Sequence, residues 1–407
     1  MPARRTRDPR LDFFRGLAML IIFVAHVREN SWSQHIPVRF GFSSAAEMFV
    51  FCSGCASAFA FESVFAERGW RLGTVRILYR IWQLYWAHIG LFLVLATFSI
   101  TGARLHFGTR DYLADLSLGG FASDGLGTIA RLLTLTYVPD LLNILPMYVV
   151  LLALVPLAMA LSRISPLLVV PASAALWGLV QATGLNLPAG GAPGRTWFFD
   201  PFAWQLMFFT GFAVGMGWLP NPRLNHPALL PIATAIVVAS VPINFWAFTN
   251  NVPGLLSIHN WLIPDGIAAT TRLDALRYTH FLCLAYVVVS YVDRHPKAIV
   301  SPALAPVVAI GRQALPAFVA SVIVAWSAGI LLDILGRDFL PVAAVNLFGF
   351  AVLFGIARCA AWLKSAPCST RVKQAGRNTP QCSDIGMRMA AYGVNARPNS
   401  PPQPADA

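Results

Sequence analysis

"RLDFFRGLAMLIIFVAHVREN", residues 10–30, decides the class of fold. Ten consecutive uncharged residues, nearly all apolar, separate Arg15 from His26, so a run suited to lipid is bracketed by two basic side chains. The rest of the 407-residue chain has the same character: 57% of its residues are hydrophobic and only 12% charged, with a mean hydropathy of +0.61. A soluble domain carries about 25% charged residues, so the core has to be built in lipid. Apolar stretches of roughly 20 residues, enough to cross a hydrocarbon layer, recur along almost the whole length. They predict one integral-membrane domain over residues 1–364. The remainder, 365–407, is rich in Pro, Ser, Asn and Gln with no apolar period, the composition of a disordered tail.

Ten windows qualify as spans of an all-α, polytopic helix bundle: Leu11–Val27, Ser43–Phe65, Ile77–Ile100, Ile144–Leu161, Pro166–Thr183, Pro201–Leu219, Ala228–Phe248, Leu273–Val292, Leu315–Leu335 and Pro341–Leu363. If the N-terminus is inside, the cytoplasmic connections carry Arg68, Arg71 and Arg76, then Arg163, Arg223, and Arg294 with Lys297. Arg358 and Lys364 mark an inner C-terminus, which makes the tail cytoplasmic. The outer connections pair their cations with acids: Arg28 with Glu29, Arg110 with Asp111, Arg337 with Asp338. That asymmetry predicts N-in and C-in. No small-residue cleavage site follows "PARRTRD", so the first run is expected to stay as a helix. The long connection 101–143 contains "DYLADLSL" and "GTIARLLTL", amphipathic pieces expected as short helices on the outer surface.

The net charge of +12 is spread between apolar runs with no basic aromatic surface, which argues against nucleic acid and for topology signals. Cys52 and Cys55 form a C-x-x-C, but inside a span and without a second ligand pair. Neither a metal site nor disulfides are expected. A homo-oligomer is compatible with the sequence, which does not set the oligomeric state.

Eleven residues at 100° each bring Arg15 and His26 to within about 20° on one helix face, about 16 Å apart along the axis. Arg15 fits a snorkelling anchor and equally a phosphate ligand near the inner face; His26 fits an interface residue or a general base. Glu47 lies at a comparable depth in the second window, where a carboxylate needs a polar partner. Hydrogen-bonded to His26, it would fix the tautomer and stabilise the imidazolium; Arg28 or Arg39 would be its alternative partners. Arg76 and Arg80, one turn apart, stand near Arg15 in depth and suit an anionic cytoplasmic donor as well as they suit the positive-inside bias. His88 reads as a second functional histidine or as a hydrogen-bonded structural one. Tyr148, Asp200, Trp204 and Gln205 gather polar and aromatic groups at one outer depth, as a sugar site or an interfacial belt would. Gly211 and Gly215 make a G-x-x-x-G packing face.

These residues carry a resemblance. Arg15 and His26 fit the R-x10-H pattern of the acyltransferase-3 superfamily, and "EMFVFCSG" looks like its F-x-x-x-S-G segment at Phe49–Gly54. "RDPRLDFFRG", "YRIWQLYWAHI", "ILPMY" and "PFAWQL" resemble the OpgC family more closely, over about Arg7 to Leu363. The family's aspartates before the histidine and before I-L-P are here Ala25 and Asn143, which leaves Glu47 as the expected support for His26. The resemblance implies an O-acyltransferase of the bacterial inner membrane that succinylates osmoregulated periplasmic glucans, with succinyl-CoA as a co-substrate and no tightly bound cofactor. Arg15, Arg76 and Arg80 would bind the donor, His26 and Glu47 would be catalytic, and Arg28 would meet the distal carboxylate. Two other functions remain open: O-acetylation of another envelope polysaccharide, and transport of an anionic solute.

Overall fold

The computed structural model describes residues 8–105, 110–119, 124–190, 194–220, 224–295 and 301–365. The tail beyond Ser365 and the loop cations Arg223 and Lys297 lie outside the described residues. The chain forms one compact unit over Met1–Arg358 and a second over Cys359–Ala407.

Ten principal helices follow one another: α1 Pro9–His26, α2 Ala45–Arg104, α3 Ile144–Ser162, α4 Val169–Thr183, α5 Pro201–Met216, α6 Leu229–Asn244, α7 Ala275–Arg294, α8 Ala305–Arg312, α9 Ala314–Leu335 and α10 Phe339–Lys364. Every apolar window falls on a helix. Six elements are long and apolar enough to cross a bilayer: α2, α3, α4 with its leading turn from Pro166, α7, α9 and α10. Of the other windows, α1 carries Arg10, Asp12 and Arg15, and α5 and α6 have 16 residues each.

Local chemistry sets the boundaries. The Asp8 side chain accepts from the Arg10 amide (2.8 Å) and Pro9 occupies the first turn, so α1 starts there; it stops after His26, where Val27 turns extended (φ −70°, ψ 116°). The second and third windows, expected as two helices joined by a loop, are two arms of the 60-residue α2, broken at Gly69 alone (φ 76°, ψ 175°). A side chain resists that backbone conformation. The bend is sharp enough to set Gly73 against the Phe65 ring. In the long connection the short helices Tyr112–Asp115 and Gly125–Leu133 form as expected, with Tyr112, Leu116, Leu118 and Leu132 buried.

Close helix crossings rest on glycine. Gly54 of α2 lies under the Phe208 carbonyl of α5, and Gly211 of α5 lies under the Phe51 carbonyl of α2, so the G-x-x-x-G face is a backbone contact. The Cys55 thiol donates to the Gly211 carbonyl across the seam (3.0 Å). Gly16 and Gly311 let α1 and α8 meet in the same way, and Gly349 receives the Phe23 ring. A methyl group at Gly211 would collide with backbone that cannot rotate away. Gly211→Ala is therefore expected to cost about 1–3 kcal/mol, seen as a lower thermal midpoint in detergent. Gly178→Ala, with open space at its Cβ position, should leave the midpoint unchanged.

Candidate functional site

Helix α1 is unbroken from Pro9 to His26, so Arg15, Met19, Ile22 and His26 project within about 60° of one another. Met19 and Ile22 are 0% and 6% exposed. The stripe that joins the two basic residues thus faces the bundle interior.

At one end of the stripe, the Arg15 charge acts on Cys52, Cys55 and Arg80 of α2 and on Tyr148 of α3. Arg80 is half-buried and donates to Gln83 Oε1 (2.9 Å); Arg76 is exposed, one turn nearer the Gly69 bend. Tyr148 is buried, packs edge-on to Phe49 (centroids 5.6 Å apart), donates to the Phe49 carbonyl (3.3 Å) and lies beside Ser53. Phe49 and Ser53, both in the F-x-x-x-S-G segment, therefore meet the I-L-P-M-Y tyrosine beside Arg15.

At the other end, His26 Nδ1 lies 2.6 Å from the Ile22 carbonyl. A carbonyl only accepts, so Nδ1 carries the proton and Nε2 of the neutral ring is a lone-pair base. The helix itself fixes the tautomer.

Glu47 was expected to do that work, and the structure corrects this. Fully buried, it is the third residue of α2 and closes a capping box: the Ser44 amide and hydroxyl both donate to Oε2 (2.7 and 2.6 Å). Oε1 takes the Arg277 guanidinium of α7 through Nε (2.8 Å) and a terminal nitrogen (2.6 Å). With both oxygens engaged, and His26 Nδ1 bound to its own helix, the expected carboxylate–imidazole bond does not form. One turn beyond Arg277, the buried His280 ring sits between the Ser43 (2.8 Å) and Ser240 (3.0 Å) hydroxyls. Arg277 and His280 were missed in the sequence. Their three-residue spacing inside an apolar window, with a carboxylate near the start of another window in need of a partner, was the available signal.

The residues expected to form an outer sugar platform bond to the backbone and side chains around them. Asp200 caps α5 by accepting from the Phe202 amide (2.9 Å); the Trp204 indole donates to the Thr270 and Thr271 carbonyls (3.1 and 3.2 Å). The Gln205 amide donates to the Ser173 and Phe202 carbonyls (2.7 and 3.1 Å), and its oxygen accepts from the Ser173 hydroxyl. All three are at most 1% exposed. A polar group that enters an apolar bundle is held by neighbouring backbone groups, as Trp204 and Gln205 are here, whereas Asp200 keeps one buried oxygen, Oδ2, without a hydrogen-bond partner among the described residues.

Just past His26, Arg28 pairs with Asp115, while Glu29 and Asp333 are each shared by Arg110 and Arg337. Partial burial, and then the nearby Arg110 charge, lower the Arg28 pKa; the hydrogen bond from Arg110 lowers that of Glu29. This network ties the loop after α1 to the short helix Tyr112–Asp115 and to the end of α9. Deep in α2, both ring nitrogens of His88, which is 1% exposed, lack a hydrogen-bond partner among the described residues. No group of three or more His, Cys, Asp or Glu residues stands together among the described residues.

Residues 7–365 match the family model described as "OpgC protein". No curated protein and no solved structure matches the chain significantly. Several long apolar helices in an all-helical fold make this a multi-pass inner-membrane protein. With the match running over most of its length, the chain belongs to the OpgC family and has the fold of a membrane acyltransferase.

Proposed function

We propose that this protein transfers succinyl groups from cytoplasmic succinyl-CoA to hydroxyls of osmoregulated periplasmic glucans, through ten membrane crossings with both ends of the chain inside. The observation that carries the proposal is the His26 tautomer: Nδ1 is held by Ile22, and Nε2 is left as a base on the interior stripe shared with Arg15. Arg15 and Arg80, assisted by Arg76, hold the donor's phosphates by charge-assisted hydrogen bonds. Tyr148 and Ser53 lie on the Arg15 side, so they serve the donor arm rather than the glycan. Met19 and Ile22 fill the stripe, and admitting the arm requires the α1–α2 seam to part around them.

His26 Nε2 removes the proton from a sugar hydroxyl as its oxygen bonds to the thioester carbonyl carbon. The tetrahedral intermediate collapses, the carbon–sulfur bond breaks, and the imidazolium returns the proton to the departing thiolate. An ester and free CoA result. Arg28 faces the distal carboxylate of the succinyl group by exchanging its Asp115 partner. Glu47 acts at one remove, fixing the start of α2 through Ser44 and Arg277.

Membranes containing the protein, mixed with labelled succinyl-CoA and glucan, are expected to label the glucan, and labelled acetyl-CoA is not. Label from acetyl-CoA alone would make the protein an O-acetyltransferase. Label from neither donor would remove acyl transfer to glucan.

A further inference from the structure

A groove with a volume of about 510 Å³ opens at the His26 end of α1, lined by Val24, Ser31, Trp32, His35, Ile36 and Phe339. That volume is within the usual range for small-ligand sites. Its chemistry is two aromatic faces with polar groups at the rim. The Ser31 hydroxyl, the Trp32 indole N–H and the His35 imidazole form no hydrogen bond to another described residue. Phe339 is 80% exposed. The wall beneath is rigid: Trp32 packs on Phe350 (centroids 6.4 Å apart), and its amide donates to Asn30 Oδ1 (3.1 Å). Asn30 is in turn pinned by its side-chain amide to the Val24 carbonyl (3.1 Å) and by a reciprocal pair of bonds to Asn346 (2.9 and 3.1 Å).

No Lys, Arg, Asp or Glu lines the groove, so it offers nothing to neutralise a phosphate or a carboxylate. A neutral sugar fits: its C–H faces stack on aromatic rings, and its hydroxyls take the indole, imidazole and serine groups. We infer that this groove is a carbohydrate subsite, which holds the acceptor glycan at residues other than the one acylated; this rests on the proposed glycan acceptor. Val24 points about 200° away from His26 around α1, so the two sites flank the helix, separated by about its 10–12 Å diameter. One sugar cannot occupy both. A chain of several sugars laid over the end of α1 reaches both, which makes acceptor length a determinant of binding.

The test measures transfer to neutral gluco-oligosaccharides of increasing length, with Phe339→Ala as the main variant because that ring is exposed and its loss removes nothing from the core. Trp32→Phe, which keeps the packing but not the indole N–H, is the second. In the wild-type protein KM falls as the acceptor lengthens. Phe339→Ala raises KM for long acceptors about threefold to tenfold, and leaves kcat, the KM for succinyl-CoA and the KM for the shortest acceptor unchanged. In parallel, calorimetry measures oligosaccharide binding to each protein without donor. Binding that Phe339→Ala weakens supports the subsite even if no transfer to glucan is found, and in that case the proposed function fails alone. Equal affinity in wild-type and Phe339→Ala proteins overturns the subsite. So does displacement of the oligosaccharide by phosphatidylglycerol vesicles, which would make the groove a lipid site.

Discussion

His26→Ala is expected to reduce succinyl transfer by about 10²–10⁴-fold, the range supplied by a positioned general base, while the KM for succinyl-CoA stays near that of the wild-type protein. The loss falls on kcat because His26 lies at the far end of the stripe from the donor-binding arginines. The complementary variant is Arg15→Ala, which should raise donor KM, since Arg15 and Arg80 share the opposite end. A His26→Ala protein that still labels glucan at a comparable rate would take the imidazole out of the chemistry.

Breaking the Glu47–Arg277 pair is expected to have the largest effect on stability. Glu47 is fully buried and the Arg277 side chain is 12% exposed, so Glu47→Ala leaves a guanidinium in the bundle without its carboxylate and removes the capping box of α2. Removing one member of a buried pair costs about 3–5 kcal/mol, enough to lower the amount of folded protein recovered in detergent. The double replacement Glu47→Leu with Arg277→Leu deletes both charges and should recover most of that loss, because a buried pair replaced by apolar groups is close to neutral. Thermal midpoints of Glu47→Leu, Arg277→Leu and the double variant measure the coupling. If Glu47→Ala folds normally and loses only kcat, and the double variant does not regain it, then Glu47 acts in the chemistry and not on the frame.

Elements set by local and compositional forces could be read from the chain, and those set by distant partners could not. The apolar windows are long runs whose backbone must satisfy itself in lipid, so each one falls on a helix. The stripe from Arg15 to His26 follows from helical geometry alone, and its inward orientation is what buried Met19 and Ile22 add. The single-residue break at Gly69 was hidden because the cationic run around it resembles a loop. Glu47 was recognised as needing a partner. Which cation supplies it depends on how α7 packs against α2, a contact between residues 230 positions apart. The tautomer of His26 was open to prediction: an imidazole in the last turn can donate to the carbonyl four residues back, which removes the need for an acid. The partners of Asp200, Trp204 and Gln205 were hidden for the opposite reason, since a polar group at a helix start looks the same in the sequence whether it faces a ligand or neighbouring backbone.

The charge of periplasmic glucans extracted from cells tests the central claim most directly, namely that His26 passes an anionic acyl group to a glycan. Cells with the wild-type protein should yield glucans that bind an anion exchanger and become neutral after mild alkaline cleavage of esters. Cells with His26→Ala, at equal protein levels, should yield neutral glucans only. Equal anionic glucan in the two strains would contradict the account.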